Sequence, residues 1–393
     1  MAGLASDFEV AVVGAGVAGL TLARELLARG TRVTVLDGGA PPASATPVGA
    51  LMPLPRAEPD DPLAALQTEG LAAMPRLAAA LAAETGIDPG YRVVGRFTPI
   101  ADPKTTAEAI ARFGAVAEAQ QAAGHRPTET PPPLCVLGAG QLHTAIPHGF
   151  LDPDAAAHGG MVDTVTARID AAMLLRALRA AVSDHPNGTI LDAWPVGHLA
   201  AAQAAGGRAT AIGPRGRLPA DAVVVAAGHS AAAFAAAMGM DAGRPVKGQA
   251  AMLKARLPDG APVVQTPGLF IVPHAPAPDG TPRVGVGSTR EAGRTDLETN
   301  TQLDEVIDRA AEFVPALKGA PVLSRWAGIR PRPPARLPQA GPIPARPGLW
   351  MLTGGHGIGI ALAPALARRV ADALVGERPL PALPTRRVSH TKA

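Results

Sequence analysis

The pattern of hydrophobic and polar positions is most regular near the start of the chain. Residues 10–13 are a short run of Val and Ala, which predicts a buried strand. Apolar residues then recur at helical spacing up to Gly30, and residues 33–36 form a second β-branched run. The order strand, helix, strand predicts an α/β fold in this part of the chain.

Similar patterns recur along the rest of the chain. Further helices are predicted at residues 63–85, 105–123, 168–182, 303–313 and 360–375. Further strands are predicted at residues 91–97, 189–191, 219–228 and 350–352. Residues 243–323 otherwise show strand patterns broken by Gly and Pro, and residues 125–133 predict a proline-rich loop.

The turn after the first predicted strand has the glycine spacing of a dinucleotide-binding loop. Gly14 permits a tight turn, Gly16 lets a pyrophosphate approach the backbone, and Gly19 lets the helix pack closely on the sheet. Asp37 ends the second strand, where an acidic residue accepts hydrogen bonds from ribose hydroxyls. An acid there disfavours the 2′-phosphate of NADP, but it does not separate NAD from FAD.

A second strand, glycine loop and helix close the chain pattern at residues 350–375. The loop at residues 353–359 contains four glycines and His356. A glycine loop followed by a helix N-terminus favours a second anionic or electron-rich ligand group. This predicts a site for the other half of a large cofactor, such as a reduced flavin, and argues against an NAD-dependent dehydrogenase.

Composition narrows the function classes. The 393 residues are 47% hydrophobic but only 3% aromatic, the net charge is +3, and the basic residues are scattered. We expect no nucleic-acid partner, because no basic stripe with interleaved aromatic residues is present. The single cysteine, Cys135, excludes an intrachain disulfide and a Cys-based metal site. We expect no metal, because His143, His148 and His158 match no metal-binding spacing.

Two stretches of the sequence bear on the cellular location of the protein. Asp7 and Glu9 stand where a signal peptide would carry basic residues. Residues 223–240 are apolar, but their Gly, His and Ser residues favour a buried strand and helix over a membrane span. We therefore expect a cytoplasmic protein with no membrane span.

The ordered set of short motifs resembles the FAD-dependent D-amino-acid oxidase superfamily, and most closely its glycine oxidase branch. The resemblance implies a Rossmann-type FAD-binding domain interleaved with a mixed-sheet α+β substrate domain. The FAD-binding domain would comprise residues 1–89, 151–242 and 324–393, and the substrate domain residues 90–150 and 243–323. The matching stretches are residues 10–19, 43–44, 49–52, 85–95, 220–228, 245–249, 271–273, 285–289, 326–331 and 354–364.

The resemblance also implies how FAD is held. Asp37 would bind the ribose, Ser44 would lie beside the pyrophosphate, and the backbone of Val196 would contact the adenine. We expect FAD to be non-covalent, because Cys135 lies outside the stretch that carries the flavin-linking cysteine in other branches. The cofactor-binding residues implied are Gly14, Gly16, Val17, Ala18, Gly19, Asp37, Gly38, Ser44, Gly49, Ala50, Leu51, Met52, Val196, Ala227, Gly228, Gly328, Arg330, Gly355, His356, Gly357, Ile358 and Gly359.

Arg330 resembles the family arginine that binds the substrate carboxylate and is the one catalytic candidate. A guanidinium forms two parallel charge-assisted hydrogen bonds with a carboxylate. The implied reaction is hydride transfer from the substrate Cα to flavin N5, followed by hydrolysis of the imino acid. The alternative is a structural arginine in a loop that also holds Arg332 and Arg336.

Several positions depart from the family pattern. Phe270 stands where the glycine oxidase branch has a tyrosine, and Ala335 replaces an acid. Arg290 is a candidate to bind a second acidic group, or else to point to solvent and pair with Glu291. His274 is a further candidate for a substrate contact.

The sequence thus predicts oxidative deamination of a small amino acid: glycine, a D-amino acid or an N-alkyl glycine. Oxygen is the expected acceptor. Two alternatives remain open at this point: a dehydrogenase that passes electrons to a quinone or a partner protein, and a flavin-binding subunit of a larger complex. Homo-oligomerisation is also left open.

Overall fold

The computed structural model describes residues 8–53, 61–100, 134–204 and 206–380. The helix predicted at residues 105–123 and the loop at 125–133 lie outside these ranges. The helices described are α1 (Val17–Leu27), α2 (Pro62–Thr85), α3 (Ala171–Ser183), α4 (Ala231–Ala237), α5 (Thr301–Phe313) and α6 (Gly359–Leu374).

The strands fall into four sheets among these residues. They are β1 (Glu9–Val13), β2 (Arg32–Leu36), β3 (Ala50–Leu51), β4 (Arg92–Val93), β5 (Arg96–Pro99), β6 (Leu134–Leu137), β7 (Gly160–Asp163), β8 (Ala167–Arg168), β9 (Gly188–Leu191), β10 (His198–Ala200), β11 (Ala209–Gly213), β12 (Gly216–Ala220), β13 (Ala222–Val225), β14 (Arg244–Leu253), β15 (Val263–Thr266), β16 (Leu269–His274), β17 (Arg283–Gly287), β18 (Glu291–Ala292), β19 (Val322–Arg332), β20 (Gln339–Pro342) and β21 (Leu349–Thr353).

A six-stranded sheet carries both glycine loops. Its strand order is β20-β21-β13-β1-β2-β9, and all neighbours are parallel except β20 and β21. Val10, Val12 and Val224 are completely buried, as expected for parallel strands covered on both faces. Because β1, β13 and β21 are adjacent and parallel, the loops that follow them leave from the same edge of the sheet, where open α/β sheets bind ligands.

Close packing holds α1, α2 and α6 against this sheet and each other. A Cβ atom on Gly19 would lie 2.0 Å from the carbonyl oxygen of Gly14, so α1 approaches the first loop as closely as a glycine allows. In the same way, a Cβ atom on Gly70 in α2 would lie 2.0 Å from the carbonyl oxygen of Ala361 in α6. The helices therefore fix both glycine loops against one core.

A nine-stranded sheet forms the second layer. Its order is β18-β14-β17-β16-β15-β5-β7-β6, with β19 paired to β14, and α5 packs against it. Strand β7 lies beyond the domain boundary predicted at residue 150, and β19 crosses the one predicted at residue 323. The division into domains stays a prediction.

Two predicted strands differ from the structure. Residues 91–97 form β4 and β5 in different sheets, because Gly95 turns the chain at φ +73° and Val94 and Gly95 both donate to the carbonyl of Thr166. Residues 219–228 are split between β12 and β13 at Asp221, whose carboxylate accepts the N–H of Glu9. A backbone turn ends one predicted strand and a side-chain hydrogen bond accompanies the break in the other, and the hydrophobic pattern shows neither.

The structure also bears on two predictions about helices. The helix predicted from residue 168 begins at Ala171, because the carboxylate of Asp170 accepts the N–H of Met173 as an N-cap. Among the described residues, no helix has both the length and the apolar character that crossing a bilayer requires. Residues 223–240 instead contain β13 and α4.

Candidate active site

The first glycine loop leaves β1 in a turn that excludes side chains. Gly14 has φ +114°, and a Cβ atom there would lie 2.6 Å from the carbonyl oxygen of Ala226. Both the left-handed backbone and the contact require glycine. The N–H of Gly14 donates to the carbonyl of Leu36 at 2.9 Å, which locks the loop to β2.

The start of α1 is open on one side, as a diphosphate requires. A Cβ atom on Gly16 would meet nothing nearer than the hydroxyl of Ser44 at 3.4 Å, and that hydroxyl accepts the N–H of Val17 at 3.0 Å. The other N–H groups of the first turn, such as that of Ala18, have no intrahelical partner and carry the positive end of the helix dipole. The residues present therefore fit the pyrophosphate of FAD.

Asp37 is held at the carboxyl end of β2 by groups from other elements. Its Oδ1 accepts the N–H of Gly39 at 2.9 Å, and its Oδ2 accepts Nη1 of Arg179 at 2.8 Å. Arg179 in α3 also pairs with Asp192. Gly38 lies beside Pro195, next to the partly buried Val196, so the predicted ribose and adenine residues lie on adjoining loops. No sequence motif indicates this role of Arg179.

A side-chain hydrogen bond joins the second glycine loop to the turn after β13. The hydroxyl of Thr353, at the end of β21, donates to the carbonyl of Gly228 at 2.8 Å. Ala227 precedes that turn. A Cβ atom on Gly228 or on Gly357 would meet no protein atom within 4 Å among the described residues. The two loops therefore border open space at the same sheet edge, which is where the sequence predicted a flavin.

The second loop turns sharply into α6. His356 has a left-handed φ of +45° and begins a 3₁₀ turn that ends at Ile358. Gly355 must be glycine, because a Cβ atom there would lie 2.7 Å from the Cα atom of Gly359. This compact turn directs the N-terminus of α6, and with it the positive end of a helix dipole, at the open space.

His356 is a neutral imidazole beside several cations. Burial, together with the charges of Arg330, Arg290 and Arg332, lowers the pKa of His356 to about 4. Its Nε2 atom is buried and has no hydrogen-bond partner within the described part of the chain. At neutral pH the ring therefore adds no charge to this side of the site.

The segment predicted to lie along the flavin, residues 49–52, is held in place by contacts with other parts of the chain. Gly49 has φ +89°, and a Cβ atom there would lie 2.1 Å from the carbonyl oxygen of Ile169. Ala50 and Leu51 form β3, which pairs with β8, and the carbonyl of Met52 accepts Nε2 of Gln67 at 2.9 Å. The backbone of this segment is therefore fixed at both ends.

Arg330 lies on β19 with its guanidinium over Gly248. Gly328 is opposite Gly248 in the β14–β19 pairing, and a Cβ atom on Gly248 would lie 1.9 Å from Nη2 of Arg330. Nη2 donates to Oγ of Ser288 at 2.8 Å and Nη1 to the carbonyl of Thr289 at 3.1 Å. Two of five N–H donors are thus used by neutral groups.

The charge of Arg330 is uncompensated in the described structure. No carboxylate within the ranges given above pairs with it, and burial and the nearby Arg290 lower the pKa of its guanidinium. An arginine remains charged in proteins. A half-buried, fixed cation with free N–H donors is the arrangement that binds a carboxylate.

The other substrate candidates lie around this cation. Arg290 is exposed and lines a cavity of about 680 Å³ together with His356 and Ala335. It does not pair with Glu291, whose carboxylate accepts hydrogen bonds from Thr289 and Gln249. Of the alternative for Arg290, exposure to solvent is observed, but the ion pair with Glu291 is absent among the described residues. Its role in substrate binding stays a prediction.

His274 and Phe270 belong to β16. Nε2 of His274 lies 2.9 Å from the carbonyl of Val48, and burial lowers the pKa of the ring. Phe270 packs against a small apolar cluster that includes Val48 and Val272. Substrate contacts by His274 and Phe270 stay predictions.

Metal and thiol chemistry have no support in the described ranges. No group of three or more His, Cys, Asp or Glu residues is arranged to hold a metal ion there. Cys135 is a half-buried free thiol on β6, and burial raises its pKa. It packs on the core of the nine-stranded sheet, away from both glycine loops.

The fold and the site together define an FAD-dependent oxidoreductase. The sequence model of the DAO family, whose description is FAD dependent oxidoreductase, matches residues 9–373. The chain belongs to this family, and its cofactor is FAD. The predicted fold class and the predicted family are both confirmed.

Named relatives support the same assignment. The chain is 30% identical over 379 residues to the glycine oxidase of Pseudomonas aeruginosa, covering 94% of this chain and 96% of that one. The crystal structure of glycine oxidase from Geobacillus kaustophilus matches with a TM-score of 0.81 at 27% identity, covering 93% and 95% of the two chains. That of iminodiacetate oxidase from Chelativorans sp. BNC1 matches with a TM-score of 0.78 at 26% identity, covering 96% and 98%.

Proposed function

We propose that this enzyme oxidises a small amino acid at its Cα–N bond and so releases, after hydrolysis of the imine, a 2-oxo acid and ammonia or an amine. The substrate is glycine, a D-amino acid or an N-alkyl glycine, and oxygen is the electron acceptor. The observation that carries the proposal is the uncompensated guanidinium of Arg330 beside the second glycine loop. The similarity to glycine oxidases and to iminodiacetate oxidase supports a substrate with an amine and a carboxylate.

FAD, when bound, supplies the acceptor for the hydride equivalent that leaves the substrate. Asp37, Ser44 and the start of α1 hold its ribose and diphosphate without covalent attachment. The N-terminus of α6 favours negative charge at the open space between the loops. Each of these groups binds FAD or orients it.

Arg330 fixes the substrate. Its free N–H donors bind the carboxylate and so hold the Cα–H bond in one orientation, which is the main contribution to the rate. No protein base is required if the amine enters neutral. His356, being neutral near pH 7, neither competes for the carboxylate nor donates a proton at that pH.

The test is an anaerobic titration of purified holoenzyme with glycine, D-amino acids and N-methyl amino acids, following the flavin absorbance near ~450 nm. Bleaching by one of these classes is the expected result. Bleaching followed by very slow reoxidation by oxygen would indicate that the enzyme is a dehydrogenase and not an oxidase. A yellow protein that no amine bleaches would contradict the proposal and favour a flavin-binding subunit.

A separate part of the proposal concerns location and assembly. The enzyme is cytoplasmic and acts on a small-molecule substrate, and formation of a homo-oligomer is compatible with this activity. Sedimentation velocity of the holoenzyme measures the oligomeric state, and cell fractionation measures the location.

A further inference from the structure

Strand pairing places three arginines on one face of the β14–β19 ribbon. Arg332 is directly opposite Arg244, and Arg330 is two residues from Arg332 along β19. Directly opposite residues in an antiparallel pair share a face, as do residues two apart in a strand. Arg330 is opposite Val246, and the pair that follows on this face is Gly248 with Gly328. The ribbon therefore presents cations at one end of the face and no side chains at the other.

A fourth arginine, Arg290, comes from the turn between β17 and β18. Arg290 directly follows Thr289, whose carbonyl accepts Nη1 of Arg330. Arg290, Arg244 and Arg332, here called the cavity arginines, all line the 680 Å³ cavity, as does His356.

The cavity arginines have no anionic partner. Within the described ranges, none of the three makes an ion pair or a side-chain hydrogen bond. Some other arginines do: Arg325 pairs with Asp304, and Arg336, which also lines the cavity, pairs with Asp61. Asp241 also lines the cavity, but its Oδ1 accepts the N–H of Gly243 and it pairs with no arginine.

The charges facing this cavity are therefore unbalanced. Arg244 and Arg332 are exposed like charges placed directly opposite each other, an arrangement that destabilises a strand pair. Arg290 also lies near enough to Arg330 to lower its pKa. One substrate carboxylate on Arg330 would leave the cavity arginines uncompensated.

We propose that the substrate carries a second carboxylate, which the cavity arginines Arg290 and Arg332 bind while Arg330 binds the first, with Arg244 adding charge behind them. The substrate class is a small amino dicarboxylic acid. The second carboxylate sits either on the nitrogen substituent, as in an N-(carboxyalkyl)glycine, or on the side chain, as in an acidic D-amino acid. This inference rests on the proposed function, because it assigns the substrate of the same site.

The first experiment measures binding without turnover. Oxidised holoenzyme is titrated with malonate or succinate, and with acetate or butyrate, and the dissociation constant is taken from the shift of the flavin spectrum. Dicarboxylates are expected to bind about 100-fold more tightly than monocarboxylates, because Arg290 and Arg332 each add a charged hydrogen bond that is worth about a factor of ten. Arg290→Gln and Arg332→Gln should each remove about 10-fold of that preference and change acetate binding by less than about 2-fold.

Arg325→Gln is the matched control. It removes an arginine from the same strand, but one that does not line the cavity and pairs with Asp304. It should leave every dissociation constant unchanged. Equal binding of dicarboxylates and monocarboxylates by the unaltered enzyme, or the same small change in all three variants, would show that the cavity arginines are merely solvated and would overturn the inference.

The second experiment compares substrates in matched pairs. The kcat/KM for N-(carboxymethyl)glycine is compared with that for N-ethylglycine, and the kcat/KM for D-aspartate with that for D-asparagine. The pair with the larger ratio of the two kcat/KM values shows where the second carboxylate lies. Oxidation of glycine or N-ethylglycine at least as efficiently as any dicarboxylate overturns this inference and leaves the proposed function standing. If no amine is oxidised, the proposed function fails, while the binding titration still decides whether the cavity holds two carboxylates.

Discussion

The guanidinium of Arg330 lies in the space that a side chain on Gly248 would fill. A Cβ atom on Gly248 would be 1.9 Å from Nη2 of Arg330, and the strand partner of Gly248 is a second glycine, Gly328. The orientation of the carboxylate-binding group therefore depends on the absence of a side chain on the neighbouring strand.

Gly248→Ala should displace the guanidinium. The smallest side chain already overlaps Nη2, so the arginine must turn away from Ser288 and lose its fixed position. The KM for the amino-acid substrate is expected to rise about 10-fold, since a charged hydrogen bond is weakened, and the FAD content should not change. Steady-state kinetics and flavin absorbance measure the two effects.

Gly140→Ala is the control for that variant, because a Cβ atom there meets no described protein atom within 4 Å. An unaltered KM in Gly248→Ala would contradict the role given to this strand pair.

Arg330→Ala should raise the KM for a carboxylate substrate by about 100-fold or more, because two charge-assisted hydrogen bonds are lost. Arg330→Lys should recover only part of this loss, since a lysine offers a point charge and no planar pair of donors. Both variants should bind FAD normally. Unchanged kinetics in either variant would make Arg330 a structural arginine.

Gly16→Ala and Gly19→Ala should fail in different ways. The added methyl group of Gly16→Ala fits the protein, at 3.4 Å from the Ser44 hydroxyl, but fills the space reserved for the pyrophosphate. This variant should fold and purify with little FAD.

The methyl group of Gly19→Ala would lie 2.0 Å from the carbonyl oxygen of Gly14, so α1 must move. The free energy of unfolding should fall by about 1–3 kcal/mol, as for other overpacked sites. Urea denaturation of apoproteins and flavin content separate the two variants, and a normal FAD content in Gly16→Ala would argue against a diphosphate at this turn.

His356 should make the protein less stable in mild acid. Its pKa of about 4 in the fold lies below the usual 6.5, chiefly because of burial and then because of nearby arginines. The unfolded chain binds more protons between these values, so the contribution is complete above about pH 6.5 and is lost as the pH falls through about 4.

The loss should be about 1–2 kcal/mol, since the ring is partly exposed and solvent screens it. His356→Asn keeps a residue type that tolerates the left-handed backbone and should flatten the dependence. The measurement is the free energy of unfolding in urea at pH 7 and pH 5. Identical pH dependence in both proteins would exclude His356 as the group responsible.

The parts of the site that sequence predicts are those built from local patterns. Gly14, Gly16 and Asp37 act within one strand–helix–strand unit, so their spacing alone indicates their roles. The partners of these residues come from far away in the chain. Arg179 reaches Asp37 from α3, and Thr353 reaches Gly228 from the neighbouring strand β21, which is distant in the sequence. No short motif encodes either contact.

The register of strand pairing is the other feature that the sequence does not reveal. Which residue faces Arg332 depends on the alignment of β14 with β19, and a shift of one residue would move Arg244 to the opposite face. From the sequence, only Arg290 is therefore a candidate to bind a second acidic group. The divided strands at Gly95 and Asp221 show the same limit, because hydrophobicity does not record where a side chain or a turn interrupts pairing.

The hydrogen bond between Thr353 and Gly228 has a consequence for the order of assembly. The two glycine loops are encoded more than half the chain apart, yet they follow β1 and β21, which lie in one sheet with only β13 between them. A nascent chain can form β1, α1 and β2 early, but the second half of the FAD site exists only after β21 has paired with β13. Pairing of such distant segments is slow. Flavin uptake during synthesis should therefore report that residues 349–374 have docked, so the cofactor marks completed folding.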